Sequence, residues 1–216
     1  MMKELPANQR SHRIEWLVWS ALVTTVLAIA VAFTWTRTRD NDLRRPLDVI
    51  GTVPNFTLTN QFVQTLSLSN LLGQVWVADV IFTRCPVSCE RMTQRMLALQ
   101  KDLPARWPVQ FVSITADPLR DPPEVLKRYA ERHGVEQKRW HFLTGLKHDV
   151  YALSVGGLKF AVLDNDNKTT PDDLFVHSTK FVLVDKRGKI RGYFEGTEEE
   201  ERKQLLLAIK KLAREK

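Results

Sequence analysis

Apolar residues along this chain fall into runs of three kinds, and each kind predicts a different element. Trp16 to Trp35 carries no charged residue, and about 20 such residues match a helix that crosses a bilayer. Val75 to Phe82 and Val109 to Thr115 are mostly apolar, as expected of central strands that are buried on both faces. Met92 and Met96 recur at helical spacing, which indicates a helix packed on a core.

Prolines and polar breaks place the next elements. Pro86 suits the first turn of a helix after the strand Val75 to Phe82, because its missing N–H is not needed there. Pro123 opens a second helix that ends near His133, and a shorter helix is expected from Lys147 to Val155. Two short strands around a turn are expected between Val53 and Leu68.

The C-terminal part predicts a hairpin and a last helix. Strands are expected at Lys159 to Leu163, Lys180 to Asp185 and Lys189 to Phe194, the last two paired as a hairpin. Thr197-Glu-Glu-Glu200 predicts a capping box at the start of an amphipathic helix. Early alternation and a late hairpin imply an α/β fold with a mixed sheet flanked by helices, which is the element order of a thioredoxin-like fold.

Four segments are therefore expected. They are an N-terminal segment 1–15, a transmembrane anchor 16–36, a polar tether 37–50 and a thioredoxin-like domain 51–216. A cleaved signal peptide is the alternative to the anchor, because Ala28-Ile-Ala30 resembles a cleavage site. The apolar run continues past that site to Trp35, which favours a retained anchor.

The net charge of +7 narrows the choice of partners. Seven basic and four acidic residues precede Pro46, which leaves +4 spread over the domain. No dense block of Lys and Arg is interleaved with aromatic residues, so a nucleic-acid surface is not predicted. Basic residues flank the apolar span in similar numbers, and charge alone does not orient it.

Cys85 and Cys89 are the only cysteines of the chain, and they follow the first buried strand. Positions i and i+4 share one face of a helix, so both sulfurs are expected to point at one object. The positive end of the helix dipole is expected to lower the pKa of these thiols. Thiolates serve both in disulfide exchange and as soft ligands for Cu(I), and the spacing leaves both uses open.

A nitrogen ligand would come from one of five histidines. His12 precedes the apolar span, while His133 and His148 lie in predicted helices and are expected to be solvated. His141 is a second candidate, near the end of a strand. His177 is the first candidate, because in a thioredoxin-like fold the loop that leads into the hairpin strand faces the cysteine loop.

Four motifs, in this order, lie between Val53 and Phe194. They are Cys85-Pro-x-x-Cys89 after Phe82-Thr83, Asp117-Pro118 with Arg120-Asp-x-Pro-Glu124, Trp140-x-Phe-Leu-Thr-Gly145, and His177-Ser-Thr before Leu183-Val-Asp185. Together they resemble the SCO/SenC family, whose members are membrane-tethered thioredoxin-fold proteins that bind copper and help to build the copper A centre of cytochrome c oxidase. This chain departs from the common family pattern at Val87, Glu90 and Val176, which bears on the electrostatics of the site rather than on its ligands.

The resemblance implies that Cys85, Cys89 and His177 bind copper, as Cu(I) or Cu(II), in a metallochaperone that is not a turnover enzyme. The implied partner is cytochrome c oxidase subunit II, with other periplasmic copper chaperones or thiol reductants as further partners. The implied location is the inner membrane, single-pass, with a cytoplasmic N-terminus and a domain in the periplasm or mitochondrial intermembrane space.

Two other hypotheses stay open. Asp79, six residues before Cys85, would be a buried carboxylate of raised pKa that serves as a base in thiol–disulfide exchange, or would bond to backbone at the sheet edge. No proline adjoins His177, where thioredoxins place the proline that faces their cysteines, and this favours a metal. Structural zinc would need a fourth ligand, and Met92 and Met96 are expected in the core. A membrane scaffold without chemistry is the third hypothesis.

Overall fold

The computed structural model describes residues 16–33, 47–85, 87–160, 162–164 and 175–215 of the chain. The chain divides into two compact units, Met1–Pro46 and Leu47–Lys216. The first unit contains helix α1 (Trp16–Phe33), whose 18 residues have a mean hydropathy of 2.2. By length and composition α1 can cross a membrane.

The second unit is built on ten described strands and five helices. The strands are β1 (Gly51–Thr52), β2 (Thr57–Asn60), β3 (Thr65–Ser67), β4 (Val75–Ile81), β5 (Val109–Thr115), β6 (Trp140–Thr144), β7 (Val162–Asp164), β8 (Phe175–His177), β9 (Lys180–Val184) and β10 (Lys189–Glu195). The helices are α2 (Leu68–Leu71), α3 (Ser88–Asp102), α4 (Pro123–Arg132), α5 (Lys147–Tyr151), which continues as a π-helical segment (Ala152–Gly157), and α6 (Glu199–Arg214).

Eight of the strands form one mixed sheet in the order β1-β10-β9-β4-β5-β6-β2-β3, and β7 and β8 form a separate two-stranded sheet. β4, β5 and β6 run parallel, while β9 runs antiparallel to β4. The carboxyl ends of β4 and β5 and the amino end of β9 therefore meet at one edge of the sheet, which we call the carboxyl edge. This confirms the predicted thioredoxin-like mixed sheet flanked by helices.

Burial explains why β4 and β5 occupy the centre of the sheet. Every residue of β4 is buried, and the apolar residues of β5 are buried as well. Trp140 and Phe142 of β6 stack with ring centroids 5.4 Å apart and are both fully buried. Aromatic pairs of this kind contribute beyond the area that they bury, so β6 belongs to the core rather than to the periphery.

Several predicted element boundaries are wrong. Only the end of a strand was expected near His141, whereas the structure has a parallel strand of the central sheet there, β6. The strand predicted at Lys159 to Leu163 begins later, at Val162. Helix α3 begins at Ser88, so Cys85 precedes the helix; Pro86 itself lies outside the described residues.

The predicted capping box of the last helix is also wrong. The N-cap of α6 is Glu198, without a hydrogen bond from its side chain. The Thr197 hydroxyl donates to the Glu195 carboxylate at 3.3 Å instead of capping the helix. Glu199 pairs with Arg202 and Arg95, so acidic side chains in the first turn are held by arginines.

Candidate metal centre

A tight turn at the carboxyl edge carries the first cysteine. The N–H of Cys85 donates to the carbonyl oxygen of Phe82 at 3.1 Å, so Thr83 and Arg84 are the central residues of a β-turn. We call residues 82–85 the cysteine turn. It follows directly on β4, whose last residue is Ile81, and this rigid central strand fixes where the turn begins.

The two sulfurs are brought together by the turn and by the first residues of α3. The N–H of Cys89 donates to Sγ of Cys85 at 3.3 Å, and the hydroxyl of Ser88 lies 3.1 Å from the same sulfur. The two cysteines are thiols and form no disulfide in this structure. Cys89 is fully buried whereas Cys85 is half-buried, so Cys85 is the more accessible of the two cysteines. The cysteines thus lie together, but not on one helical face as predicted.

The expectation of a lowered thiol pKa is wrong for Cys89. Its hydrogen bond with the Cys85 side chain, and then its burial, raise the pKa of Cys89 well above the ordinary thiol value. A backbone hydrogen bond at Phe82 acts in the opposite direction but is the smaller effect. A position in the first turn of a helix favours a thiolate only while the sulfur stays hydrated, and the Cys89 side chain is buried.

Asp79 lies inside the sheet rather than at its edge. It is fully buried in β4, opposite Ser113 of β5, and β9 flanks β4 on the other side. After the Cys85 hydrogen bond and burial, the charge of Asp79 is a further cause of the raised Cys89 pKa. Asp79 therefore lies in the central strand of the sheet, and the expected place at a sheet edge is wrong.

The predicted nitrogen ligand lies on a different sheet. β8 ends at His177, which is opposite Val162 of β7. The chain then passes through Thr179, whose carbonyl accepts the N–H of Gly196 at 2.7 Å, into β9 beside β4. The His177 side chain lies outside the described residues, and among the side chains that are described no group of three His, Cys, Asp or Glu can hold a metal. Ligation by His177 therefore stays a prediction.

His133 was expected to be solvated, and that prediction is wrong. Its side chain is 5% exposed, with Nε2 at 3.4 Å from a carboxylate oxygen of Glu90 and its ring centroid 4.4 Å from that of Tyr129. Burial lowers the pKa of His133, although the Glu90 charge acts against it. His133 and Cys85 line one open cleft of ≈ 480 Å³, together with Thr83, Arg84, Glu90, Gln94 and Arg132.

A signal for this burial was present in the sequence. Leu126, Tyr129 and Ala130 are the buried residues of α4, and His133 follows at the next position of the same stripe. Two further predictions are confirmed: Met92 and Met96 are fully buried in the core, and His148 is 91% exposed.

Comparisons with known proteins agree on one family. Residues 47–214 match the family model described as SCO1/SenC. The SCO1 protein homolog of Bacillus subtilis is 35% identical over 148 residues, which are 68% of this chain and 75% of that protein. A protein of Stutzerimonas stutzeri described as a putative copper-binding protein is 33% identical over 144 residues, 65% of this chain and 68% of that protein.

Solved structures extend the agreement to the fold. A SCO1/SenC family lipoprotein from Bacillus anthracis superposes with a TM-score of 0.70 at 32% identity, over 79% of this chain and 99% of that one. BsSco, described as a member of the Sco family of cytochrome c oxidase assembly proteins with a disulfide switch, gives 0.69 at 30% identity with the same coverage. The family match begins at Leu47, where the second compact unit begins.

Proposed function

Because this chain belongs to the SCO1/SenC family, we propose that it binds copper through Cys85, Cys89 and His177 and serves in the assembly of cytochrome c oxidase. Support comes from one relative that is described as copper-binding and another that is described as an oxidase assembly protein. The observation that carries the proposal is the pair of adjacent thiols at the carboxyl edge, next to the strand into which the His177 segment leads.

The donor set fits copper better than other common metals. Two thiolates and one imidazole suit three-coordinate Cu(I), and Cu(II) would take additional nitrogen or oxygen ligands. A closed zinc site takes four ligands, more than this set supplies. Each thiol loses a proton when the metal binds and regains it on release. The hydrogen bond with Cys85 and burial raise the pKa of Cys89, so copper binding is expected to weaken as the pH falls.

In this proposal copper is cargo for the copper A centre of cytochrome c oxidase subunit II. Cys85, the half-buried sulfur, exchanges first with a donor atom of the acceptor, and Cys89 releases the ion last because it is fully buried. Other periplasmic copper chaperones are the expected source of the ion. Transfer by ligand exchange changes no oxidation state, so it needs no reductant.

Reduction of the receiving cysteines is the second candidate, favoured by the buried Asp79 in β4, whose charge contributes to the raised pKa of Cys89. The Cys85 thiolate would attack the acceptor disulfide, and Cys89 would then displace the acceptor thiol from the mixed disulfide. The acceptor gains two electrons and two protons, and this chain is left with a Cys85–Cys89 disulfide. A thiol reductant in the same compartment must reduce that disulfide before the next round.

We propose that α1 anchors the protein in the inner membrane, with a cytoplasmic N-terminus and a domain in the periplasm or mitochondrial intermembrane space. The length and composition of α1 and the lipoprotein nature of the Bacillus anthracis relative support membrane attachment. Protease added outside spheroplasts should digest the domain and leave the anchor. A domain protected until the membrane is lysed would contradict this orientation.

Copper retention tests the ligand assignment. Reduced full-length protein in detergent is loaded with copper and dialysed against a competing chelator, and the ratio of copper to protein is then measured. The wild type should keep about one copper per protein, and His177→Ala should keep much less against the same chelator. His148→Ala is the matched control, since that side chain is 91% exposed. Equal retention by His177→Ala and wild type would overturn the role of His177.

The same variants separate the two candidates. Thiol–disulfide reductase turnover should survive His177→Ala and disappear in Cys85→Ser if the protein acts as an oxidoreductase. Turnover no faster than that of a free dithiol would remove the reductase candidate and leave copper delivery.

A further inference from the structure

The cysteine turn is held by the buried carboxylate of Asp121, a residue that is not among the predicted copper ligands. Asp121 is 1% exposed and lies near the end of the loop between β5 and α4. Its carboxylate accepts the Thr83 N–H at 3.1 Å, the Thr83 hydroxyl at 2.5 Å and the Thr115 hydroxyl at 2.6 Å. Two of these three bonds end on Thr83, a central residue of the turn that presents Cys85.

The loop that carries Asp121 is itself fixed to the sheet. The N–H of Ala116 donates to the carbonyl of Ile81 at 2.7 Å, and the N–H of Asp121 donates to the carbonyl of Asp117 at 2.9 Å. The Thr115 hydroxyl also accepts the N–H of Asp117 at 3.0 Å. Asp121 is therefore held against the sheet by hydrogen bonds that do not involve the cysteine turn.

A second link between the same loop and the turn is weaker. Arg84 donates to Asp117 at 3.0 Å, but the Arg84 side chain is 45% exposed. The Asp117 carboxylate is buried, but solvent weakens an ion pair whose other partner is this exposed, whereas Asp121 holds the turn with two hydrogen bonds, one of them from the backbone of Thr83. The position of the turn therefore depends chiefly on Asp121.

We propose that Asp121 is a positioning residue for the thiol pair: by holding Thr83 it sets where the cysteine turn places Sγ of Cys85 against the N–H of Cys89. The use of this placement in copper transfer rests on the proposed function, but the placement itself does not. Asp121 acts through hydrogen bonds alone, so its positioning role does not depend on a change in the protonation of any metal ligand.

The consequence concerns the balance between dithiol and disulfide. In the dithiol, Sγ of Cys85 accepts the Cys89 N–H at 3.3 Å and lies 3.1 Å from the Ser88 hydroxyl. A turn that has lost its support no longer holds the sulfur at these donors, so the reduced form loses stabilisation. In equilibrium with a reference disulfide, Cys85 and Cys89 each give up a proton and an electron and form a disulfide with one another. The reference disulfide takes up these two protons and two electrons and becomes a dithiol.

Thiol–disulfide equilibrium of the full-length protein in detergent tests the proposal. Asp121→Asn keeps the shape but removes the charge, and Thr83→Val removes the hydroxyl while it keeps the backbone donor. We expect Asp121→Asn to shift the equilibrium constant toward the disulfide by about tenfold, which is about 30 mV for two electrons, and Thr83→Val by about threefold. Affinity for Cu(I), measured by competition with a chelator, should fall by a similar factor.

Asp185→Asn is the matched control. Asp185 is another buried aspartate that caps a turn, with the N–H groups of Arg187 and Lys189 at 2.9 Å each, but it lies after β9, away from the carboxyl edge. It should lose stability and leave the equilibrium constant within twofold of wild type. If Asp121→Asn does not fold, Thr83→Val carries the test.

An equilibrium constant within twofold of wild type in the folded Asp121 and Thr83 variants would overturn the proposal, as would an equal shift in Asp185→Asn. The proposed function fails separately, when the wild type binds no copper. In that case a shifted thiol equilibrium would still support the positioning role of Asp121.

Discussion

The two parts of the proposed copper site lie on different sheets. The cysteine turn follows a central strand of the eight-stranded sheet, and His177 lies on the two-stranded β7–β8 sheet. The cysteine turn follows a strand that is paired on both sides within an eight-stranded sheet, and buried Asp121 holds it in place. His177 ends a three-residue strand that pairs with another of the same length in a separate sheet. An isolated two-stranded sheet contributes little stability by itself. The cysteine turn (the sulfur half of the site) is thus attached to the main sheet and His177 (the histidine half) to a small separate sheet, and we expect that each part can be changed without the other.

The largest expected effect comes from the sulfur half. A protein with both Cys85→Ser and Cys89→Ser should retain no copper after dialysis, because serine hydroxyls do not replace soft thiolate ligands for Cu(I). Metal analysis checks the ratio of copper to protein, and circular dichroism checks that the fold persists. Stoichiometric copper in the double variant would place the metal elsewhere.

Removal of the histidine should have a smaller and more selective effect. In His177→Ala the affinity for Cu(I) should fall by at least about tenfold, or about 1.4 kcal/mol, since two thiolates remain. The thiol–disulfide equilibrium should stay within twofold of wild type, because the cysteine turn does not depend on β8. A large shift of that equilibrium would show that the two halves are not independent.

Gly196 offers a way to disturb the histidine half through the backbone. A Cβ at Gly196 would lie 2.6 Å from the carbonyl oxygen of Thr179, in the segment that follows His177. Gly196→Ala should therefore destabilise the protein by about 1–3 kcal/mol and lower copper affinity more than it shifts the thiol equilibrium. Gly156→Ala is the control, since nothing lies within 4 Å of that Cβ. Equal denaturation midpoints for the two variants would contradict this reading of the contact.

Asp185 should change stability without changing the site. Burial acts to raise its pKa, but hydrogen bonds from the Lys189 N–H, the Arg191 side chain and the Arg187 N–H lower it overall. A lowered pKa means that the stabilisation is present above the ordinary value of 3.8 and is lost as the pH falls through the lower folded value. Asp185→Asn should cost about 1–3 kcal/mol at neutral pH and less in acid, as measured by urea denaturation at both pH values.

The fold was predictable where a pattern within one segment decides the outcome. The apolar runs of β4 and β5 and the hairpin of β9 and β10 are local signals, and all four strands are found. The strand β6 was missed because Trp140 to Thr144 is short and follows charged residues, so only its pairing with β5 reveals it.

The details of the site could not be predicted in the same way, because they depend on contacts between distant residues. The cysteine spacing indicated a shared helical face, but the turn that carries Cys85 is held by Asp121, 38 residues along the chain from Thr83. The raised pKa of Cys89 follows from a hydrogen bond with Cys85 and from burial, neither of which can be read from a position at the start of a helix.

X-ray absorption of the copper-loaded, reduced full-length protein tests the central claim most directly, because it counts the atoms bound to the metal. Two sulfurs and one nitrogen are expected for the wild type and for His148→Ala, and sulfur without the histidine nitrogen for His177→Ala at saturating Cu(I). A nitrogen contribution that is unchanged in His177→Ala, or fewer than two sulfurs in the wild type, would contradict the assignment of Cys85, Cys89 and His177 as the copper ligands.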